Sequence, residues 1–239
     1  VALLTMQEAV DPTQHAGLLL ALGHAQSRSG ASAQARQTFD RAAAVARQTA
    51  NARQVGQAAL GFAGDVVRPG VTDDQVIARL EEAWALAGES EPMLQVRLLA
   101  RLAMEYRYST WRVRGETLSR TALDRARQLG TATLAGAEGR AVLVYALNAR
   151  HFAILAPDTL EERMAISLEL VELAAARGDR ELLLQSLPWR VADLLTVGQI
   201  QAADEAIAQA SALAAALRQP LYLWYAHVFR ALRALMQSD

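Results

Sequence analysis

The stretch Leu19–Ala42, LLALGHAQSRSGASAQARQTFDRA, decides the fold. Apolar residues recur at helical spacing on both sides of Gly30, so two helices meet there at a turn. Gly23 and Ala35 are small where two antiparallel helices must cross. Gly30 suits the turn because glycine enters left-handed backbone without a Cβ clash. Phe39 is placed to fill the gap between the helices, and Ala42 to let a further helix approach.

Start and stop signals extend this pattern outward. Asp11-Pro12 opens a helix over about 12–30, with aspartate as cap and proline at the first position. A partner over about 31–49 follows. Asn51 with Gln54 opens the next, about 52–66, broken by Arg68-Pro69-Gly70. Thr72 with Gln75 caps a helix over about 73–87, and Ser90-Glu91-Pro92 opens one over about 92–108. Gly130 is expected to end a helix over about 112–129, and an unusually long one covers about 132–154. Thr159 with Glu162 reads as a capping box for about 160–177. Pro188 is expected to kink a helix over about 180–196. Gly198 closes it, a helix over about 200–217 follows, and Pro220 starts an eleventh that reaches the C-terminus. Val1–Val10 carries an apolar stripe without a start signal and reads as the tail of a helix begun upstream. With no initiator methionine, and with Ser238-Asp239 inside a helical pattern, the sequence is expected to be a piece of a larger protein.

Composition narrows the chemistry. Among 239 residues there is no cysteine and no lysine, so all 24 cations are arginine. Disulfides, thiolate metal sites, cysteine nucleophiles and lysine Schiff bases are excluded. So is a GxxxxGK phosphate loop, which needs its lysine. The net charge of −1, with arginines interleaved among Asp and Glu, argues against direct nucleic-acid contact. Pairs such as Asp124-Arg125 and Glu161-Glu162-Arg163 read as solvated helix faces. No apolar run approaches the ~18–20 residues of a membrane span, and no signal peptide is visible, so a cytoplasmic location is expected.

The first unit then repeats. Leu19, Leu22, Gly23, Gly30, Ala35, Phe39 and Ala42 fall at the offsets of the tetratricopeptide pattern, with Leu19 where that pattern has tryptophan and Gln26 where it has tyrosine. The chain therefore resembles the tetratricopeptide repeat family. Leu60-Gly61 with Ala83 fit a second unit. Leu102, Ala103, Tyr106, Gly115 and Ala122 fit a third, and Gly198, Ala203, Ile207 and Ala210 a fifth. The fourth, between Leu134 and Gly178, has Leu170 where alanine is expected. From Ala42 through Ala83, Ala122 and Leu170 to Ala210 the steps are 41, 39, 48 and 40 residues, longer than the usual repeat. The expectation is an all-α, right-handed α-solenoid of five to six degenerate tetratricopeptide-like helix pairs, forming a single domain over 1–239.

Four longer stretches, LLLALGHAQSRSG, LEEAWALAGESEPMLQVRLLARLAMEYRYS, DTLEERMAISLELVELAAARGDRE and LRQPLYLWYAHVFRALRALM, resemble the C-terminal repeat regions of large bacterial ATP-binding regulators, LuxR-type transcription regulators among them. The resemblance implies a sensor or scaffold arm acting on an attached ATPase domain through a protein, peptide or small effector.

The first helix of each pair lines the groove in such arrays. By register His24, Arg97, Met104, Arg107 and Tyr108 face it, and Tyr145, Asn148, His151, Trp189 and Arg190 are further groove candidates. The alternative for each is packing, with arginines snorkelling to water. Modules that clamp a peptide carboxylate use lysine and asparagine at such positions, where this chain has Leu20 and His24. None of His15, His24, His151 and His227 forms a close metal-ligand pair, so no metal or cofactor is expected. Adjacent carboxylates such as Glu81-Glu82 point in different directions on a helix and read as surface charge. A non-catalytic interaction domain is the leading expectation, and a structural self-association or spacer module the alternative. An enzyme would have to use Tyr145 to His151 opposite Trp189-Arg190.

Overall fold

The caps set the helix starts in the computed structural model, which describes residues 11–64, 67–68, 70–133, 136–176 and 178–237. Val1–Val10, Pro69 and Leu134 lie outside the described residues. Asp11 Oδ2 accepts from Gln14 N–H at 3.2 Å and starts α1 (Pro12–Arg28). Gly30 turns the chain at φ +82° into α2 (Ser32–Gln48). Asn51 Oδ1 accepts from Gln54 N–H at 3.1 Å and starts α3 (Ala52–Ala63). The reciprocal half of that box is absent: Asn51 N–H donates to Ala46 O at 3.0 Å, and the Gln54 Nε2 amide donates to Thr13 O of α1 at 2.9 Å. α4 (Asp74–Ala87) is capped by Asp73, not Thr72: Asp73 Oδ1 accepts from Val76 N–H at 3.3 Å.

Pro92 at the first position opens α5 (Pro92–Glu105), which tightens into a 3-10 turn at Tyr106–Tyr108. α6 (Arg112–Thr133) runs through Gly130 instead of ending there. A glycine inside a helix costs only about 1 kcal/mol, which does not by itself end one. The next helix, α7 (Ala137–Ala153), is correspondingly of ordinary length.

A 3-10 turn at Pro157–Thr159 leads into α8 (Leu160–Ala175). The expected capping box is not formed. The Thr159 hydroxyl donates backward to the carbonyls of Ile154 and Ala156, which closes the preceding turn. Asp179 Oδ1 accepts from Leu182 N–H at 2.9 Å and starts α9 (Arg180–Thr196), a single helix across Pro188. α10 (Ile200–Leu217) and α11 (Pro220–Gln237) complete the chain. All eleven helices, and no strand, lie among the described residues. None of these helices is long and apolar enough to cross a membrane.

The helices group into two compact units, Val1–Ala153 and Ile154–Asp239. In the first, each helix packs on the next in sequence, and α1, α3, α5 and α7 also pack successively on one another. In the second, α8 packs on α9, α9 on α10 and α10 on α11, with α11 returning to α9. This alternation separates first helices (α1, α3, α5, α7, α9, α11) from second helices (α2, α4, α6, α8, α10).

Small residues set the first junctions. A Cβ on Gly23 would lie 2.7 Å from the Phe39 ring, and one on Gly61 only 2.4 Å from it. Phe39, wholly buried, is therefore held between α1 and α3 by two glycines. Gly56 likewise admits Leu94, placing α3 against α5. The second helices α2 and α4 are tied by arginine forks: Arg79 to Asp40 at 2.6 and 2.9 Å, and Arg47 to Glu82 at 2.6 and 2.7 Å. Arg36 and Arg79 both lie over Phe62, at 4.6 and 4.0 Å from its centroid.

Later junctions bury charge. Arg101 is almost fully enclosed. It donates to Ala63 O at 3.0 Å and Gly64 O at 2.6 Å, where α3 ends, and to Glu105 Oε1 at 2.6 Å. Arg150 of α7 donates to Glu116 O at 2.8 Å and to Ser119 Oγ at 3.1 Å on α6. In the second unit Arg163 lies 3.0 Å from Asp193, and both are buried. The expectation that Glu161-Glu162-Arg163 forms a solvated face therefore fails at Arg163. An adjacent residue on a helix turns through a hundred degrees, and here that turn points Arg163 at α9.

Candidate functional site

The side chains nominated for a groove fall on first helices, and several come together. Arg97 of α5 is exposed, with its guanidinium carbon 5.6 Å from the centroid of the half-buried Tyr145 of α7. Three turns further along, Tyr108 meets Phe152 of α7 edge-on at 6.1 Å, and the Arg107 guanidinium lies 6.0 Å from the Tyr108 ring. Met104 and Asn148 are half-buried on the same two helices, the Asn148 amide donating to Val144 O at 2.9 Å. α5 and α7 thus carry a partly exposed strip of cationic and aromatic groups within the first unit.

His24 is exposed at some distance along the array, on α1, where its ring packs edge-on against Phe39 at 5.1 Å. His151 departs from expectation. It is wholly buried, because its place on α7 turns it into the core. Trp189 and Arg190 are half-buried in the second unit, where Arg190 donates to Met164 O at 3.5 Å. Tyr145 to His151 and Trp189-Arg190 belong to different units.

A cleft of about 480 Å³ opens beside this strip, between α4 and the α5–α6 turn. Its geometry follows from the turn. Ser109 Oγ accepts from Trp111 N–H at 3.0 Å and donates to Tyr106 O at 3.0 Å, which fixes Tyr108 and Trp111 on the rim. Gly115 lets α6 cross α5 closely, since a Cβ there would meet Ala103 O at 3.0 Å. Tyr106 forms the inner wall and donates to Glu81 Oε1 at 2.6 Å. Arg114 reaches the same oxygen at 3.4 Å and lies over the Tyr106 ring at 5.4 Å. Burial, and then the bond to anionic Glu81, push the Tyr106 phenol up to about 12. Glu81 and Glu82 do point apart: Glu82 pairs with Arg47 on α2. Tyr108 and Trp111 are legible in the sequence as an aromatic cluster. Asp74, Glu81 and Arg114 are not, because they reach the cleft from other helices.

Among the described residues no three His, Asp or Glu side chains are grouped to hold a metal ion. No protein-family model matches the sequence, and no curated protein matches it either. Solved structures do match. The TPR-like repeats of a Podosopora anserina protein described as a kinesin light chain superpose with a TM-score of 0.58 at 14% identity, covering 88% of this chain and 99% of that one. A point variant of those nearly identical repeats gives 0.59 at 14% identity, over 87% and 98%. At that identity the likeness establishes the fold alone: the chain is built as an all-α array of tetratricopeptide-like helix pairs.

Proposed function

We propose that residues 1–239 act as one non-catalytic interaction domain whose first helices, chiefly α5 and α7, take a peptide segment of a protein partner. The observation that carries this is the meeting of Arg97 with Tyr145 and of Tyr108 with Phe152 on a partly open face. Arginine and tyrosine are enriched among the few residues that carry most binding energy at protein interfaces. In the bacterial regulators that the sequence resembles, such a face in a cytoplasmic protein would bias an attached ATPase domain. Binding must then favour one arrangement of the longer protein over another.

Selection of a random peptide library on the chain tests the face. Enriched peptides should lose about ten-fold or more in affinity on Arg97→Ala or Tyr145→Ala, the loss expected for an interface anchor. Circular dichroism should stay unchanged. Peptides indifferent to both substitutions would remove the groove. The same peptides added to the longer regulator should change its ATP hydrolysis, and no change would remove the regulatory part.

A second reading, self-association, is favoured by α11. Leu221, Trp224, Val228, Leu232 and Leu235 recur at helical spacing on it and are all exposed. Sedimentation equilibrium tests it: Trp224→Glu should convert a dimer to a monomer.

A further inference from the structure

The cleft between α4 and the α5–α6 turn is distinct from the α5–α7 strip, although Tyr108 borders both. Its chemistry is specific. Two carboxylates, Asp74 and Glu81, line it against one arginine, Arg114. Glu81 is engaged by Tyr106 and Arg114. Asp74 is exposed in the first turn of α4, and no cation among the described residues pairs with it. Two aromatic side chains stand at the rim, Trp111 58% and Tyr108 38% exposed. The hydroxyl groups of Thr72, Ser109 and Thr110 complete the lining. An exposed indole and an unpaired carboxylate lining one cleft suit a cation, which the ring face attracts through its quadrupole and the carboxylate by charge.

The inner wall already displays the same recognition. Arg114 lies over Tyr106 while approaching Glu81, so one cation of the chain itself uses a ring and a carboxylate together. The outer half, made of Trp111, Tyr108 and Asp74, offers the same pair of groups to a second cation from outside.

We infer that this cleft binds an arginine or lysine side chain presented by the protein partner, held by Asp74 and covered by Trp111 and Tyr108. The assignment rests on the interaction-domain function proposed above only in taking the cation from a protein. It does not need the Arg97–Tyr145 contact.

The test follows the Trp111 indole N–H resonance in the isotope-labelled chain, identified by its loss in Trp111→Phe. N-acetyl-arginine N-methylamide and its lysine counterpart should move it saturably below about 20 mM, the weak range of a single side chain. The glutamate and norleucine amides should not. Asp74→Asn should weaken the arginine amide by about three-fold, as an exposed ion pair does. Arg114→Gln should tighten it, since it removes a competing positive charge. Circular dichroism confirms that each variant folds. An unmoved Trp111 resonance, an equal response to the glutamate amide, undiminished binding by Asp74→Asn, or weaker binding by Arg114→Gln would each overturn the assignment. Those outcomes would leave peptide binding through Arg97 and Tyr145 untouched, so the two proposals fail separately.

Discussion

Two junctions of the first unit do the same work by partly different means. Between α1 and α3, the buried Phe39 ring fills a gap that Gly23 and Gly61 leave open. Between α3 and α5, Gly56 admits Leu94 in the same apolar way, and a buried arginine adds a polar tie. Arg101 satisfies the carbonyls of Ala63 and Gly64 at the end of α3 and is neutralised by Glu105. The α3 C-terminus leaves carbonyls that no intrahelical donor reaches, and its dipole favours a cation there. Arginine can meet this need because its planar fork offers several donors at once and sheds water more readily than an ammonium. Apolar filling accepts variation in shape at moderate cost. A buried ion and its bonds do not, because any missing partner strands a charge.

The sharpest way to break the comparison is Arg101→Ala. It leaves Glu105 unpaired and two helix-end carbonyls unmet, so urea unfolding should show a loss of about 3–5 kcal/mol. Replacing both Arg101 and Glu105 by leucine should cost clearly less than Arg101→Ala. A double variant as unstable as the single one would show that the stranded carboxylate is not the source of the loss.

Gly61→Ala probes the apolar junction. Its new methyl group meets the Phe39 ring, and the expected cost is about 1–3 kcal/mol by overpacking. Adding Phe39→Leu should recover part of it, so the pair should be less damaging than the sum of the singles. Additive losses would show that the ring and the glycine do not act together.

The smallest effect is at Asp73, which caps α4 and pairs with Arg36 at 2.9 Å and Arg68 at 3.2 Å. Burial raises its carboxyl, but the Arg36 bond, the Val76 N–H and the two positive charges outweigh that and hold it below the usual range. A depressed folded value stabilises the protein above the ordinary carboxylate range. That stability is lost as pH falls through this range toward the folded value. Asp73→Ala should cost about 1 kcal/mol near neutrality, the worth of a cap. It should also flatten the decline in stability on acidification. An unchanged acid slope would assign that decline to other carboxylates.

Most of the fold is legible in the sequence. Helix starts depend on local chemistry, and so Asp11, Asn51, Pro92 and Pro220 mark them correctly. Gly23, Phe39 and Gly30 announce a crossing and a turn because their sizes admit few other arrangements. Errors arise where local signals compete. Thr72 and Asp73 are both good caps, and it is Asp73 that accepts from Val76 N–H. Gly130 can stop a helix or sit inside one, and here α6 continues to Thr133. The site is less legible. The helical register nominates Arg97 and the aromatic clustering Tyr145, but their meeting depends on α5 lying against α7.

Taken alone, the sequence determines which segments are helical, which faces are apolar, and that helices pair across glycine turns. These properties depend on residues within a turn or two of one another. The tertiary structure alone decides that Arg101 and Arg163 are buried and that Glu81 meets Tyr106 and Arg114 in a cleft. An arginine on a helix is equally at home in water or in an ion pair, and the choice belongs to whatever helix packs against it.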